Sequence, residues 1–495
     1  MERITQQDFV SQMPVHEPGF SKTRVPNYTK PLAFDLGLLC GHMQNVLKFS
    51  YIGPVAQEVA KILYDREFKS ALDAVDPTWV KDMLAPWLKR SYEQTIGDGK
   101  TGLLNRTANK LRSIAGMNIM AGHLVNALQQ TTGLTIAVTK VNPKYMGKAL
   151  VNLFSREASL REMTEMSEFM KARIKDRAIE YQSKIERIAR TPEYISQAKG
   201  LGKLKAADAK LDPLRDLAER HAYCFQVAMQ APVDCIVWFG AYMQALDQGM
   251  AQNQAIAEAD SVVRTTLSDF APENLAAVET GNALKRCFLV FYNYFGMQLN
   301  LLGERWEGAK QTEKYRKFAL DAALIVWIPS VLAEIIMQMI YGFDTGDDEE
   351  FDLYDGLRLI VGPFFKNILA MAPFFGGAIN SLGSREAKKG NAWAEFIWGD
   401  DPFVGRAVNS PAIDMIESAI AGINNMIDMA GDENEVKART ATRNILDLLS
   451  VATRLPVGAL KKPLGYAAGV AAGDIEPEST LEAVQGLLSG KDTSK

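Results

Sequence analysis

Little in this sequence alternates. Strand-length runs in which apolar and polar residues take turns are nearly absent, Leu134 to Val138 being the only tempting one, and this excludes a sheet-based fold. Cysteine is scarce: Cys40, Cys224, Cys235 and Cys287 stand far apart among apolar neighbours in 495 residues. That spacing gives neither a disulfide framework nor a zinc site, and the four read as buried thiols of a protein made in a reducing compartment. His16, His42, His123 and His221 are isolated, none with a second ligand at metal spacing. The N-terminus carries no apolar signal segment. A chain of this kind that reaches a membrane is expected to do so without the ordinary secretory address.

Net charge is also low, -4, so no global basic field points to nucleic acid. Its distribution is uneven. From Gly99 to Arg156 there is no Asp or Glu, while Arg106, Lys110, Arg112, Lys140, Lys144 and Lys148 are all basic. From Asp344 to Asp355 there are seven carboxylates and no base. Two solvated surfaces of opposite sign would suffice to explain this. The sharper expectation is that those six basic residues contact phosphates, of nucleic acid or of lipid, while the acidic loop stays in water.

Recognisable chemistry is missing as well. Gly97-Asp-Gly-Lys-Thr101 resembles the end of a phosphate-binding loop, but Gln94 stands where that motif needs its first glycine, and no strand precedes it. Glu417-Ser418 lacks the downstream glycine-rich partner of a transglycosylase site. The acidic loop lacks the ligand spacing and central glycine of an EF-hand. Asp260 and Arg264, one helical turn apart, read as a structural pair. No catalytic residue, cofactor site or metal site is expected, and the chain is not expected to be an enzyme.

What the sequence does contain is helix. The reading is an all-α, elongated multi-helix bundle. Residues 1–31, with Pro14, Pro18, Pro26 and Pro31, form an extended arm. An N-terminal helical domain over 32–196 follows, then a Lys/Gly/Ala-rich linker over 197–211, a central helical domain over 212–400 and a C-terminal helical tail over 401–495. Within these, Val55, Val59, Ile62 and Leu63 make one apolar stripe, and Trp79, Met83, Trp87 and Leu88 another, after an Asp76-Pro77 helix start. Asn105 to Gln129 and Ser155 to Arg190 read as long helices, and Ser479 with Glu482 as a capping box.

The stretch from Ala283 to Trp306 is expected to be the central helix. Phe288, Phe291, Tyr292, Phe295, Leu299 and Leu302 recur at helical spacing, with Tyr294, Met297 and Leu301 on a second face. Phe291 and Phe295 are expected to be almost wholly buried. Two apolar segments follow, Phe318 to Phe343 and Leu359 to Leu382, separated by the acidic loop. Each is long enough to span a bilayer, yet the first carries Asp321, Glu334 and Pro329 and the second Lys366. They form either a buried helical core or a hairpin that enters lipid, with Trp327, Ile336, Phe364 and Phe375 as its membrane contacts.

Ala255-Ile-Ala-Glu-Ala-Asp-Ser-Val-Val-Arg264, followed after a short loop by Phe288-Leu-Val-Phe-Tyr-Asn-Tyr-Phe295, resembles a signature of the C-terminal helical regions of phage large polyvalent proteins. Further segments agree in order: Leu111-Arg112 through Gln129-Gln-Thr-Thr-Gly133, Ser167-Glu-Phe-Met170 with Arg173, Trp238 to Tyr242, Asn409-Ser-Pro411, Leu455-Pro456 with Lys461-Lys462, and Gln485 to Lys491. A departure follows the second apolar segment, where Ala372-Pro-Phe-Phe-Gly-Gly377 replaces the family's Pro and Arg-Asp pair. The resemblance implies an internal virion, or ejection, protein held in the capsid interior and delivered with the genome into the host cell envelope. It further implies, as partners, other copies of the chain, other ejection or portal and tail proteins, phage DNA and host inner-membrane lipid. Many relatives carry an enzymatic domain, and this chain has no room for one. The alternative is a non-membrane nucleic-acid-binding or packaging scaffold.

Overall fold

The computed structural model describes residues 46–93, 103–120, 123–155, 160–174, 224–268, 292–341, 353–372, 389–398, 438–453, 455–477 and 479–489, with scattered residues between them. Helix accounts for 87% of it, and no described residue lies in a strand. The protein is all-α. It divides into two compact units, Met1–Gly99 with Phe270–Gly281, and Lys100–Asp269 with Asn282–Lys495. That division falls at residue 99, inside the expected 32–196 segment. The expected arm and linker lie outside the described residues.

In the first unit, a π-helical turn over Lys48–Ile52 runs directly into α1 (Gly53–Leu63), with Pro54 just past the junction. Asp65 caps α2 (Arg66–Val75) by accepting from the Glu67 and Phe68 amides. Asp76 accepts from both the amide and the hydroxyl of Thr78, and a π-helical turn over Trp79–Leu84 leads into α3 (Ala85–Glu93). The core is Ala56, Ala60 and Leu63 against Leu88 and Tyr92. The expected stripes are therefore turned: Val55, Ile62, Trp79 and Met83 are exposed. Small alanines let α1 and α3 approach closely, and that closeness decides which face goes inward.

The second unit is built on α6 (Cys224–Asp247), with α5 (Pro143–Ser155) and α7 (Gln252–Thr266) packed along it. Trp238, Val237 and Cys235 are buried there. A methyl group at Gly240 would stand 3.2 Å from Val141 and 3.4 Å from Met146, so those neighbours would have to give way slightly. Among the described residues the central helix is thus α6, rather than the described part of 283–306. Cys224, at its start, is exposed, against expectation, whereas Cys40 and Cys287 lie outside the described residues.

Two long helices are shorter than their pattern suggests. The first, α4 (Leu103–Met120), ends where Gln226 and Asn126 donate to the Met120 and Ile119 carbonyls. Short helical turns over Leu124–Leu128, Gln129–Thr132 and Gly133–Ala137 follow, so the tempting strand is helical. Next, the chain breaks at Ser167, whose Oγ accepts from the Met170 amide and donates to Asp260 at 2.7 Å. A side chain that caps a new turn while tied to a neighbouring helix redirects the backbone.

The C-terminal helices α11 (Ala438–Thr453), α12 (Lys461–Ala471) and α13 (Thr480–Ser489) pack on one another, and α11 reaches α4. The Gly458 amide donates to Ser450 Oγ, and Asn118 and Asp447 leave no space for a side chain at 458. Ser479 does cap α13, accepting from the Glu482 amide.

Candidate membrane-facing hairpin

The buried polar centre of the second unit lies between α6 and α7. Arg173 Nε meets Asp234 Oδ2 at 3.0 Å with both side chains almost fully buried, and Gln230 donates to the other oxygen. Asp260 accepts from Trp238 Nε1 and Ser167 Oγ, each at 2.7 Å. Arg264 does not pair with Asp260 as expected; it sits over the Phe169 ring, 4.1 Å from the centroid. A carboxylate with two neutral donors at good distance has no need of the guanidinium, which finds an aromatic face instead. Three of the segments quoted for the phage resemblance meet at this point. In this chain their residues pack and hydrogen-bond with one another.

The apolar segments build a helical hairpin. Its first arm, α9 (Tyr315–Ile340), contains a π-helical turn over Ala323–Trp327; its second is α10 (Leu353–Ala370). The arms are joined by residues 341–352, most of the acidic loop, which lies largely outside the described residues. Pro329 removes one helical N–H and frees the carbonyl four residues back, Ile325. Gln298, fully buried on α8 (Tyr292–Thr312), donates to that carbonyl at 2.7 Å. Asn367 Nδ2 reaches Val326 O and Ser330 Oγ, Gln129 reaches Ala333 O, and Trp327 Nε1 donates to Ile360 O, three residues before Pro363. Side-chain amides thus stitch an apolar helix to its neighbours.

Serving Ile325 turns α8. Its buried face is Tyr292, Met297, Gln298 and Leu301, while Phe295 and Leu302 are half-buried and Leu299 is exposed. Phe295 is therefore not the wholly buried anchor expected; one residue is about 100° of helix, enough to move it aside. Phe288 and Phe291 lie outside the described residues.

Among the described residues, two helices are long and apolar enough to cross a membrane by length and composition, α6 and α9. They differ in cover: 61% of the apolar window of α6 is buried, against 17% for α9. Met339 on α9 and Leu353 on α10 are 68% and 81% exposed, and Leu332, Leu357, Ile360 and Ile368 are also exposed. Of the expected contacts, Trp327 is exposed, Phe364 is half-buried with its ring 5.8 Å from Trp327, Ile336 is half-buried, and Phe375 lies outside the described residues. The charges within the hairpin are answered by protein: Asp321 meets Arg305 at 3.7 Å, and Glu334 accepts from Gln338.

Of the six basic candidates, four have described side chains. Lys144 and Lys148 are exposed and flank the Tyr145 ring, each 5.5 Å from its centroid. Lys140, in the turn before α5, pairs with Glu304. Arg112 is half-buried and already engaged, and Arg106 and Lys110 lie on α4 with side chains outside the described residues. Among the described residues no cluster of His, Cys, Asp and Glu could hold a metal ion. Sequence reading missed the three amides Gln129, Gln298 and Asn367. An apolar run interrupted by proline was the available signal, since it demands donors from elsewhere. Comparison with protein-family models, curated proteins and solved structures finds no match.

Proposed function

We propose that this chain is an internal virion protein of a phage, ejected with the genome, whose α9–α10 hairpin enters the host envelope and forms part of a helical conduit for DNA. The observation that carries the membrane part is α9, a 26-residue apolar helix with only 17% of its window buried. The phage part rests on the resemblance of the 255–264 and 288–295 segments and their companions. In this reading the protein waits in the capsid interior and performs no catalytic step. It works with further copies, other ejection or portal and tail proteins, DNA and inner-membrane lipid. Copies must assemble, because exposed polar edges in lipid need protein neighbours.

A non-membrane nucleic-acid scaffold is the second reading, and exposed Lys144 and Lys148 beside Tyr145 favour it. The test places an environment-sensitive dye on single cysteines at Met339 and Ile368, with Cys40, Cys224, Cys235 and Cys287 replaced by alanine. Blue shifts on adding anionic liposomes, absent for a label at Lys171, are the expected result. Unchanged spectra at both hairpin sites, with no flotation, leave only the scaffold.

A further inference from the structure

We propose that the base of the hairpin is a docking site for anionic phospholipid headgroups, formed by Trp306, Lys310, Lys314, Tyr315, Arg316 and Lys317. This rests on the membrane reading above and adds to it the lipid class and the residues that meet it. The chain reverses between α8 and α9 through Glu313, in the left-handed region at φ 54°, with the Lys314 amide donating to Ala309 O at 3.2 Å. The reversal lays the Trp306 ring against Tyr315, centroids 6.0 Å apart, and against Phe318 at 5.1 Å. Lys310 Nζ lies 5.6 Å from the Trp306 centroid. Trp306 and Tyr315 remain exposed.

The charge at this turn is unbalanced. Glu304 is tied to Lys140, Glu307 to Lys310, and Asp321 to Arg305. Lys314, Arg316 and Lys317 are exposed and make no ion pair, with exposed Glu313 the one acid left to oppose them among the described residues of the turn. Three free cations, interleaved with exposed indole and phenol rings, thus stand at the start of the apolar helix α9. Rings of that kind settle at the headgroup level, and cations there gain from anionic lipid. From Phe318 to Ile340 the helix rises about 33 Å at ~1.5 Å per residue, close to the ~30 Å of a hydrocarbon core. The basic turn and the acidic loop therefore flank the two ends of one span. Duplex DNA would use the cations but give the rings and the apolar helix nothing to do.

The experiment floats the full chain with phosphatidylcholine vesicles, and with vesicles also containing phosphatidylglycerol, across a salt series. The parent is compared with the triple variant Lys314→Gln, Arg316→Gln, Lys317→Gln; the three side chains are exposed, and circular dichroism checks the fold. The expected result is salt-sensitive preference of the parent for the anionic vesicles, reduced in the variant on the order of 100-fold, with partition into neutral vesicles unchanged. Equal anionic-vesicle binding by parent and variant overturns the headgroup site while leaving the hairpin reading intact. A parent that floats with neither vesicle overturns both. Loss of duplex-DNA binding in the variant, with vesicle binding untouched, overturns the lipid assignment in favour of nucleic acid.

Discussion

Asp234 holds two helices in register through one carboxylate. Its oxygens meet Arg173 and Gln230 where neither charge can reach water. Asp234→Ala leaves the guanidinium buried without its counter-ion, and a loss of about 3–5 kcal/mol in urea unfolding is expected. His123 acts by a different route. Burial first, then the charges of Lys462 and Lys461, push its imidazole down to about 4 from an ordinary 6.5. The unfolded chain therefore takes up the proton before the folded one as pH falls. Stability is intact above pH 6.5 and declines between about 6.5 and 4, by roughly 3 kcal/mol at most. His123→Gln should flatten the melting temperature over that window relative to the parent.

At the scale of elements, turns decide more than stripes do. Glu313 occupies a left-handed position where glycine is the usual residue, at the C-terminal end of α8. Glu313→Gly should stabilise the chain by up to about 1 kcal/mol, read from the chemical denaturation midpoint, because the Cβ clash disappears. A lower midpoint would mean that the carboxylate contributes more than its backbone costs. Periodicity found the helices here but misjudged their faces. Met297 and Leu301, read as a second apolar face of a surrounded helix, are buried as expected, whereas Leu299, read on the first face, is exposed. The cause is Gln298, whose duty to a carbonyl freed by a proline 31 positions later leaves no trace in a local window.

The whole molecule separates a helix that holds the fold from one that covers little. Amides of α6 should exchange with deuterium most slowly, and those of α9 and α10 at least an order of magnitude faster, since buried contact sets local opening. Equal protection would make the hairpin part of the same cooperative core. Helical class and the apolar hairpin were legible from spacing alone. Which helix lies at the centre was not, because α6 and 283–306 are both apolar on several sides, and only three-dimensional neighbours distinguish them. Nor were the partners of Asp260 and Arg264 legible: they lie on segments about 20 to 90 residues away.

The amides donated to Ile325, Val326 and Ala333 have one more consequence. A helix broken by proline ordinarily depends on water to answer the carbonyl it exposes, which anchors it to an aqueous setting. Here protein supplies that answer, so the hairpin and its escorts carry their own solvation with them. With the escorts in place, a change of medium would alter what the exposed side chains touch and leave these carbonyls served. The residues to follow in such a journey are the escorts: Asn367 travels within the hairpin, whereas Gln298 and Gln129 must either move with it or be replaced by donors from a neighbouring copy.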